Sequence, residues 1–162
     1  MIVISDSSVL MNLAAIKQLD LMPTIFGEVI ISKGVFEEIV VNGWGKFGSQ
    51  EFKDATWIAV KECTNSELLQ QLLKVLDKGE AESIVLSKEL NADLLIIDEK
   101  AGREIAQQLE LQITGLLGVL LIAKKKGLID SVKILMEQLQ KEANFRISKS
   151  TFNIVLAKAR EM

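Results

Sequence analysis

The sequence predicts an α/β fold: a three-layer α/β/α sandwich around a central, mostly parallel sheet of about five strands. Short apolar runs rich in β-branched residues alternate with segments whose apolar residues recur at helical spacing. The two most apolar runs both end in aspartate, and no internal repeat or low-complexity linker divides the chain. Strands that alternate with helices indicate βαβ units, and therefore a parallel sheet covered by helices on both faces.

Buried parallel strands are short and apolar, so the strands can be placed first. They are predicted at residues 2–6, 28–31, 57–60, 94–98 and 111–114. Ser7 and Ser8 can cap a helix over 9–16. Gly27 ends a short helix around Pro23, and Ser32 opens the next one. Further helices are predicted at 66–76, 80–90, 101–109, 116–126, 130–142 and 148–160, with a break at 77–79.

We expect one domain over residues 1–162, with an α/β core over about 1–127 and a helical C-terminal extension over about 128–162. A chain of this length buries enough surface to fold without a disulfide or a metal. No basic segment precedes an apolar one at the N-terminus, and the longest apolar-dominated stretch, 113–123, has 11 residues. A bilayer-crossing helix needs about 20. We therefore expect a cytoplasmic protein that does not associate with membranes.

The composition excludes several classes of chemistry. Histidine is absent and Cys63 is the single cysteine, which removes His-dependent triads, disulfides within the chain and Cys-based zinc sites. The net charge is −3, but it is divided unevenly. Residues 1–100 carry 9 basic and 16 acidic side chains, whereas residues 101–162 carry 10 and 6. A cationic C-terminal part can guide a nucleic acid towards an acidic centre.

Acidic residues follow the two most apolar strands. Because ligands collect at the carboxyl ends of parallel strands, Asp6 and Asp98 are candidate site residues. Glu38, on the helix after the second strand, and Glu80, before the fourth, can reach the same edge. Glu82 lies about 200° around its helix from Glu80 and so faces elsewhere, which leaves it as a possible supporting residue rather than a ligand. Oxygen ligands without His or Cys favour Mg²⁺ or Mn²⁺.

Each of these acids also has a purely structural interpretation. An aspartate before a helix is usually its N-cap, and a glutamate in a first turn usually interacts with the helix dipole. For any single acid the structural role is favoured. Two apolar strands that both end in aspartate weaken that interpretation for the pair, although spacing alone does not decide between the two.

Several polar residues near the acids carry weaker signals. Asn12 lies four residues after Ser8 on one helical face, where it either contacts a metal-bound water or phosphate, or is satisfied by the backbone. Glu99 and Arg103 follow Asp98. Arg103 either binds a substrate phosphate or pairs with Glu99, and the ion pair is favoured.

Two further segments invite a nucleic-acid interpretation. The lysines at 124–126 precede Gly127, and a role in the last turn of a helix is favoured over a binding patch. Trp44, Lys46 and Phe47 lie in the glycine-rich stretch 42–50, where they can stack on bases, cover a groove or dock a partner helix. The sequence does not choose between these roles.

Segments along the chain resemble PIN-domain ribonucleases, in the order in which that family carries them. VISDSSVL at 3–10 looks like the family's opening strand and turn, and LDLM at 19–22, VII at 29–31 and VFEE at 35–38 continue the likeness. GEAESI at 79–84, LIIDE at 95–99 and TGLLG at 114–118 are similar to a VapC-like subgroup found mainly in prokaryotes. NFRIS at 144–148 resembles that subgroup's ending, so the resemblance covers essentially the whole chain.

The resemblance implies a four-acid site that holds Mg²⁺ or Mn²⁺ and cuts RNA phosphodiester bonds. Asp6, Glu38 and Asp98 match the family's acids, Glu80 falls where many relatives carry aspartate, and Ser8 matches a small hydroxyl or amide residue near the metal. The resemblance also implies a homodimer that acts as the toxin of a toxin–antitoxin pair and is neutralised by a small antitoxin protein.

The chain departs from this pattern at two positions. Ile96 stands where many relatives carry threonine or serine, and Ser32 stands where the subgroup often has proline. Serine in place of proline exchanges a fixed-φ helix start for a cap. The missing hydroxyl at position 96 motivates an alternative function, in which the PIN-like fold is a non-catalytic binding or scaffold module.

Overall fold

The computed structural model describes residues 1–42 and 49–162, with the side chains of 1–41 and 51–162. The predicted stacking residues Trp44, Lys46 and Phe47 lie outside the described residues. Five strands form one sheet: β1 (Val3–Ser5), β2 (Val29–Ser32), β3 (Ile58–Lys61), β4 (Leu94–Ile96) and β5 (Ile113–Thr114). Every pairing is parallel, and the order is β3-β2-β1-β4-β5. The predicted α/β/α sandwich is therefore confirmed.

The helices are α1 (Ser7–Ala15), α2 (Leu21–Phe26), α3 (Lys33–Glu37), α4 (Ser49–Asp54), α5 (Ser66–Leu72), α6 (Lys78–Glu89), α7 (Lys100–Gln108), α8 (Leu116–Lys125), α9 (Val132–Glu142) and α10 (Lys149–Lys158). Helices α1 to α7 lie in the connections between the strands, and α8 to α10 follow the last strand. A π-helical turn, Glu38–Asn42, continues α3. The sequence did not predict α4.

Alternating side chains of the central strands divide the core between the two faces of the sheet. Val3, Ile31 and Ile96 belong to a cluster that includes the apolar faces of α1, α8, α9 and α10. Ile4 and Leu95 belong to a second cluster, which includes the apolar residues of α6. Because both faces are covered, the central strands β1, β2 and β4 are buried and mostly apolar, as the sequence indicates.

The register places the ends of the two aspartate-bearing strands side by side. Strand β1 lies in the centre of the sheet, and its Ile4 is opposite Ile30 of β2 and Leu95 of β4. Since parallel strands share a direction, the segments that follow β1 and β4 leave the sheet at the same edge. Asp6 and Asp98 therefore start their connections next to each other, as predicted.

Two predicted helix starts are wrong in detail. Asp6, and not Ser7 or Ser8, caps α1: its Oδ1 accepts a hydrogen bond from Val9 N at 3.1 Å. The predicted break at 77–79 is the beginning of α6, where Asp77 and Glu80 form a capping box. An aspartate with a glutamate three residues later satisfies two free N–H groups of a helix end, so the helix starts earlier than its apolar pattern suggests.

The C-terminal residues are tied to the start of α9. The Glu161 carboxylate accepts hydrogen bonds from Val132 N at 2.7 Å and Lys133 N at 3.1 Å, and from the Ser131 hydroxyl at 3.0 Å. Lys124 lies 3.3 Å from the same carboxylate. Burial raises the pKa of Glu161, but these hydrogen bonds outweigh it and hold the pKa at about 2. This contact gives the first lysine of the 124–126 run a structural role.

None of the helices in the described ranges is both long and apolar enough to cross a membrane.

Candidate metal centre at the C-terminal edge of the sheet

Asp6 is the most buried acid of the chain's described part, with 3% of its surface exposed. It follows β1 directly. Its Oδ1 is engaged by Val9 N, and its Oδ2 lies 3.4 Å from Asp98 N. The Ser8 hydroxyl lies 3.3 Å from Oδ2.

Asp98 follows β4 and lies beside Asp6 at the same edge of the sheet. Its Oδ1 accepts a hydrogen bond at 2.9 Å from Leu116 N, in the first turn of α8. Its Oδ2 is buried and has no hydrogen-bond partner among the described residues. A buried carboxylate oxygen without a partner loses its hydration with nothing in exchange, which is unfavourable unless another group binds it.

The Glu38 side chain is held in place by a residue that the sequence did not single out for this role. The Ser7 hydroxyl donates a hydrogen bond to Glu38 Oε2 at 2.6 Å, and a hydrogen bond from the Gly79 backbone also stabilises the Glu38 carboxylate. Since Ser7 directly follows Asp6, this contact ties the Glu38 carboxylate to the start of α1. The same carboxylate lies against the first turn of α6, at Gly79.

Glu80 and Glu82 leave α6 in different directions. Glu80 Oε1 turns back to its own helix end, 3.4 Å from Asp77 N, while its Oε2 is buried without a hydrogen-bond partner in the described residues. Glu82 is 7% exposed, and its Oε1 accepts a hydrogen bond at 2.9 Å from Gly34 N. Glu82 thus holds the start of α3, the helix that leads to Glu38. Its contact is therefore with the backbone that precedes Glu38.

Burial dominates the electrostatics of this edge. It raises the pKa of Asp6 to about 7, and the neighbouring Asp98 charge adds to the effect. Burial likewise raises the pKa of Asp98 and of Glu38, against the hydrogen bonds from Leu116 N and the Ser7 hydroxyl. For Glu80, burial and the contact with Asp77 raise the pKa to about 7. A cation placed among such carboxyls favours their ionised forms.

The donor set at Asp6 and Asp98 fits a hard divalent cation. Both side chains supply carboxylate oxygens, and Asp98 Oδ2 is buried and unpaired. The four predicted ligands are not all gathered, however: no three Asp, Glu or Cys side chains in the described ranges are arranged to hold a metal ion together. Glu38 is engaged by Ser7 and Glu80 by its own helix end.

Three of the four predicted acids, Glu38, Asp98 and Glu80, pack against a glycine. A Cβ on Gly79 would overlap Glu38 Oε1, and a Cβ on Gly115 would overlap Asp98 Oδ1. A Cβ on Gly102 would lie 3.3 Å from Glu80 Oε2. Sequence reasoning missed these contacts, although Gly79 and Gly115 both lie in segments that carry the family resemblance. Glycine here allows the backbone to come within contact distance of a carboxylate.

The remaining candidates are placed as follows. Arg103 Nη1 donates a hydrogen bond to Ile97 O at 2.9 Å, and its charge partly offsets the raised pKa of Asp98. The favoured prediction, that Arg103 pairs with Glu99, is wrong, since no such ion pair occurs among the residues that the structure describes. Exposed Glu99 precedes α7 without capping it. Asn12, one turn after Ser8, forms no side-chain hydrogen bond within the described chain.

The single thiol is unsuited to nucleophilic chemistry. Cys63 Sγ donates to Glu82 O at 3.3 Å. Burial and the nearby Glu82 charge raise the pKa of this thiol to about 12, so the reactive thiolate is scarce at neutral pH. The chemistry available at this edge of the sheet is therefore that of carboxylates and hydroxyls.

A comparison with protein families agrees with this arrangement: the family model described as PIN domain matches residues 2–161. The chain belongs to the PIN-domain family. PIN domains are typically nucleases, and PIN nucleases generally use divalent metal ions. No protein of curated function matches the sequence significantly.

Proposed function

We propose that this PIN domain is an endoribonuclease that hydrolyses RNA phosphodiester bonds with Mg²⁺ or Mn²⁺. The observation that carries the proposal is the pair formed by buried Asp6 and half-buried Asp98 at adjacent strand ends, in which Asp98 Oδ2 is buried and unpaired. Family membership supports nuclease chemistry and an RNA substrate. Glu38 and Glu80 are proposed as the remaining acids of the site, as the resemblance implies.

The residues of this edge have distinct proposed tasks. Asp6 and Asp98 would hold the metal through their carboxylate oxygens, while the hydrogen bond from Ser7 would orient the Glu38 carboxylate. Bound divalent metal supplies an acidified water and neutralises charge on phosphoryl oxygens. Arg103 lies close to Asp98, and its positive charge favours the ionised form of the Asp98 carboxyl. Without histidine, proton transfer must fall to water and to carboxyls with raised pKa values, such as Glu80.

A cleavage assay with matched variants tests this proposal. Purified protein is incubated with structured RNAs and Mn²⁺, with and without EDTA, and compared with Asp6→Asn and with Asp20→Asn. Asp20 is an exposed aspartate before α2, so its substitution makes the same chemical change away from the site. We expect Asp6→Asn and EDTA to abolish cleavage and Asp20→Asn to preserve it. Cleavage that survives EDTA or Asp6→Asn contradicts the metal assignment.

The toxin role, the small antitoxin and the homodimer are proposed on the family resemblance alone. Induced expression is expected to arrest growth, and Asp6→Asn is expected to relieve the arrest. A small DNA-binding protein encoded beside this gene should form a complex with the protein and restore growth. Growth that continues under full expression of wild-type protein contradicts the toxin role while leaving the nuclease proposal intact.

The alternative, a non-catalytic binding or scaffold module, has its own supporting observations. Ile96 is fully buried in the core, and the described residues bring no three acids together as a metal site. Titration with Mn²⁺ separates the two functions, because a bound ion stabilises the folded state by mass action. A rise in melting temperature that Asp6→Asn abolishes supports the nuclease. No shift at millimolar Mn²⁺ supports the scaffold.

A further inference from the structure

A groove leads away from Asp98 across the C-terminal helices. Its volume is about 440 Å³, and its walls come from the start of α8, the segment 145–148 and one face of α10. The α10 residues in the wall are Thr151, Ile154, Val155 and Lys158, which recur at the spacing of a single helical face. One end of the groove is thus the proposed metal centre, and the other is formed by the C-terminal extension.

The groove is cationic beyond its acidic end. Arg103, Arg146 and Lys158 line it, and Asp98 is the one carboxylate among its lining residues. Arg146 and Lys158 are exposed, and neither has an ion-pair partner among the described residues. Their charges are therefore free to attract an anion. An extended polyanion satisfies this pattern better than a small anion, because the cations are spread along the wall.

A second cavity of about 710 Å³ adjoins the first. Leu121 and Lys158 line both, and the second cavity adds Lys125 and Arg160. Helix α10 has ten residues, and its length is about 15 Å at the rise of an α-helix. At about 3.4 Å per stacked nucleotide, that length accommodates about four nucleotides.

We propose that this groove is the path of the RNA strand, and that Arg146 and Lys158 bind its phosphates on one side of the bond to be cut. The proposal rests on the proposed ribonuclease function and extends it to substrate binding by the C-terminal extension. It also gives a role to two of the basic residues that are in excess after residue 100.

Salt dependence of RNA binding tests the proposal. A fluorescent single-stranded oligouridylate is titrated in EDTA, so that binding is measured without cleavage. The variant Arg146→Gln/Lys158→Gln is compared with Lys133→Gln/Lys141→Gln. The control removes two exposed charges from α9 that line neither cavity. All four side chains are exposed, so melting temperatures are expected to stay close to the wild-type value.

Loss of two phosphate contacts is expected to reduce the slope of log K against log salt by about 1.4. The advantage of wild type over the groove variant should therefore be about sevenfold larger at 50 mM than at 200 mM salt. The control is expected to keep the wild-type slope. Equal slopes in wild type and groove variant overturn the proposal, and so do equal losses in both variants.

The same variants separate this proposal from the ribonuclease function. If the groove binds RNA but the protein does not cut it with Mn²⁺, the nuclease proposal fails and the binding path stands. If the groove variant binds and cuts RNA as well as wild type does, the path fails and the nuclease proposal stands.

Discussion

Replacement of Asp6 by asparagine is expected to stabilise the metal-free protein at neutral and alkaline pH. Asp6 is 3% exposed and lies beside Asp98, so its ionised form is unfavourable in the folded state. The pKa of Asp6 is about 7 in the folded protein, against an ordinary value of 3.8. Asparagine has the same shape, keeps an oxygen that accepts from Val9 N, and is an equally good N-cap.

The size and direction of the effect follow from proton linkage. Below about pH 4 the carboxyl is protonated in both folded and unfolded chains, so it contributes no difference. As the pH rises towards 7, the unfolded chain ionises and the folded one holds its proton, and stability falls by about 1.4 kcal/mol per pH unit. The total over about three units is on the order of 4 kcal/mol. For a chain of this size, this corresponds to about 10 °C in melting temperature.

Urea denaturation in EDTA between pH 5 and pH 8 measures this difference. The stability of wild type should fall relative to Asp6→Asn as the pH rises, whereas Asp20→Asn should follow wild type throughout. At pH 8, addition of Mn²⁺ should make wild type more stable than Asp6→Asn, because only wild type binds the ion and is stabilised by it. A difference between wild type and Asp6→Asn that does not change with pH would refute the reasoning, since it would mean that burial does not disfavour this charge.

Three further substitutions test individual contacts. Ser7→Ala removes the hydrogen bond to Glu38, and we expect slower RNA cleavage with a loss of only about 1 kcal/mol of stability in denaturant titrations. Gly79→Ala places a methyl group on Glu38 Oε1, so cleavage should fall more than for Ser7→Ala, while unchanged activity would show that Glu38 is dispensable. Glu161→Gln should cost about 1–2 kcal/mol at pH 7, and this deficit should shrink as the pH falls from about 4.5 to 2, where wild-type Glu161 becomes protonated.

The order of elements and the central aspartate pair were predictable because they depend on local signals. Strands β1 and β4 are apolar because both faces of the sheet are covered, and an aspartate follows each at the exit from the core. The adjacency of Asp6 and Asp98 then follows from the rule that ligand sites form at the carboxyl ends of parallel strands. No long-range information was needed for this part of the site.

The rest of the site depends on contacts between segments far apart in sequence. The bond between Ser7 and Glu38 spans 31 residues, and that between Glu82 and Gly34 spans 48. A helical wheel orients Glu80 but does not show that its carboxylate turns back to the helix end. That contact arises from the capping box with Asp77, which the sequence carries as Asp-x-x-Glu.

The site is built from helix N-termini, and their limited strength argues for a cation. Asp6 caps α1, Asp98 accepts from the first turn of α8, and Glu38 lies against the first turn of α6. Each helix end stabilises a negative charge by about 0.3–1 kcal/mol, and by about 2 kcal/mol when partly buried. Even with its hydrogen bonds from Val9 N and Ser8, the charge on Asp6 carries a net penalty on the order of 4 kcal/mol. Helix dipoles therefore leave the carboxylates undercompensated, and a divalent ion with oxygen ligands is the additional charge that would let all of them ionise at neutral pH.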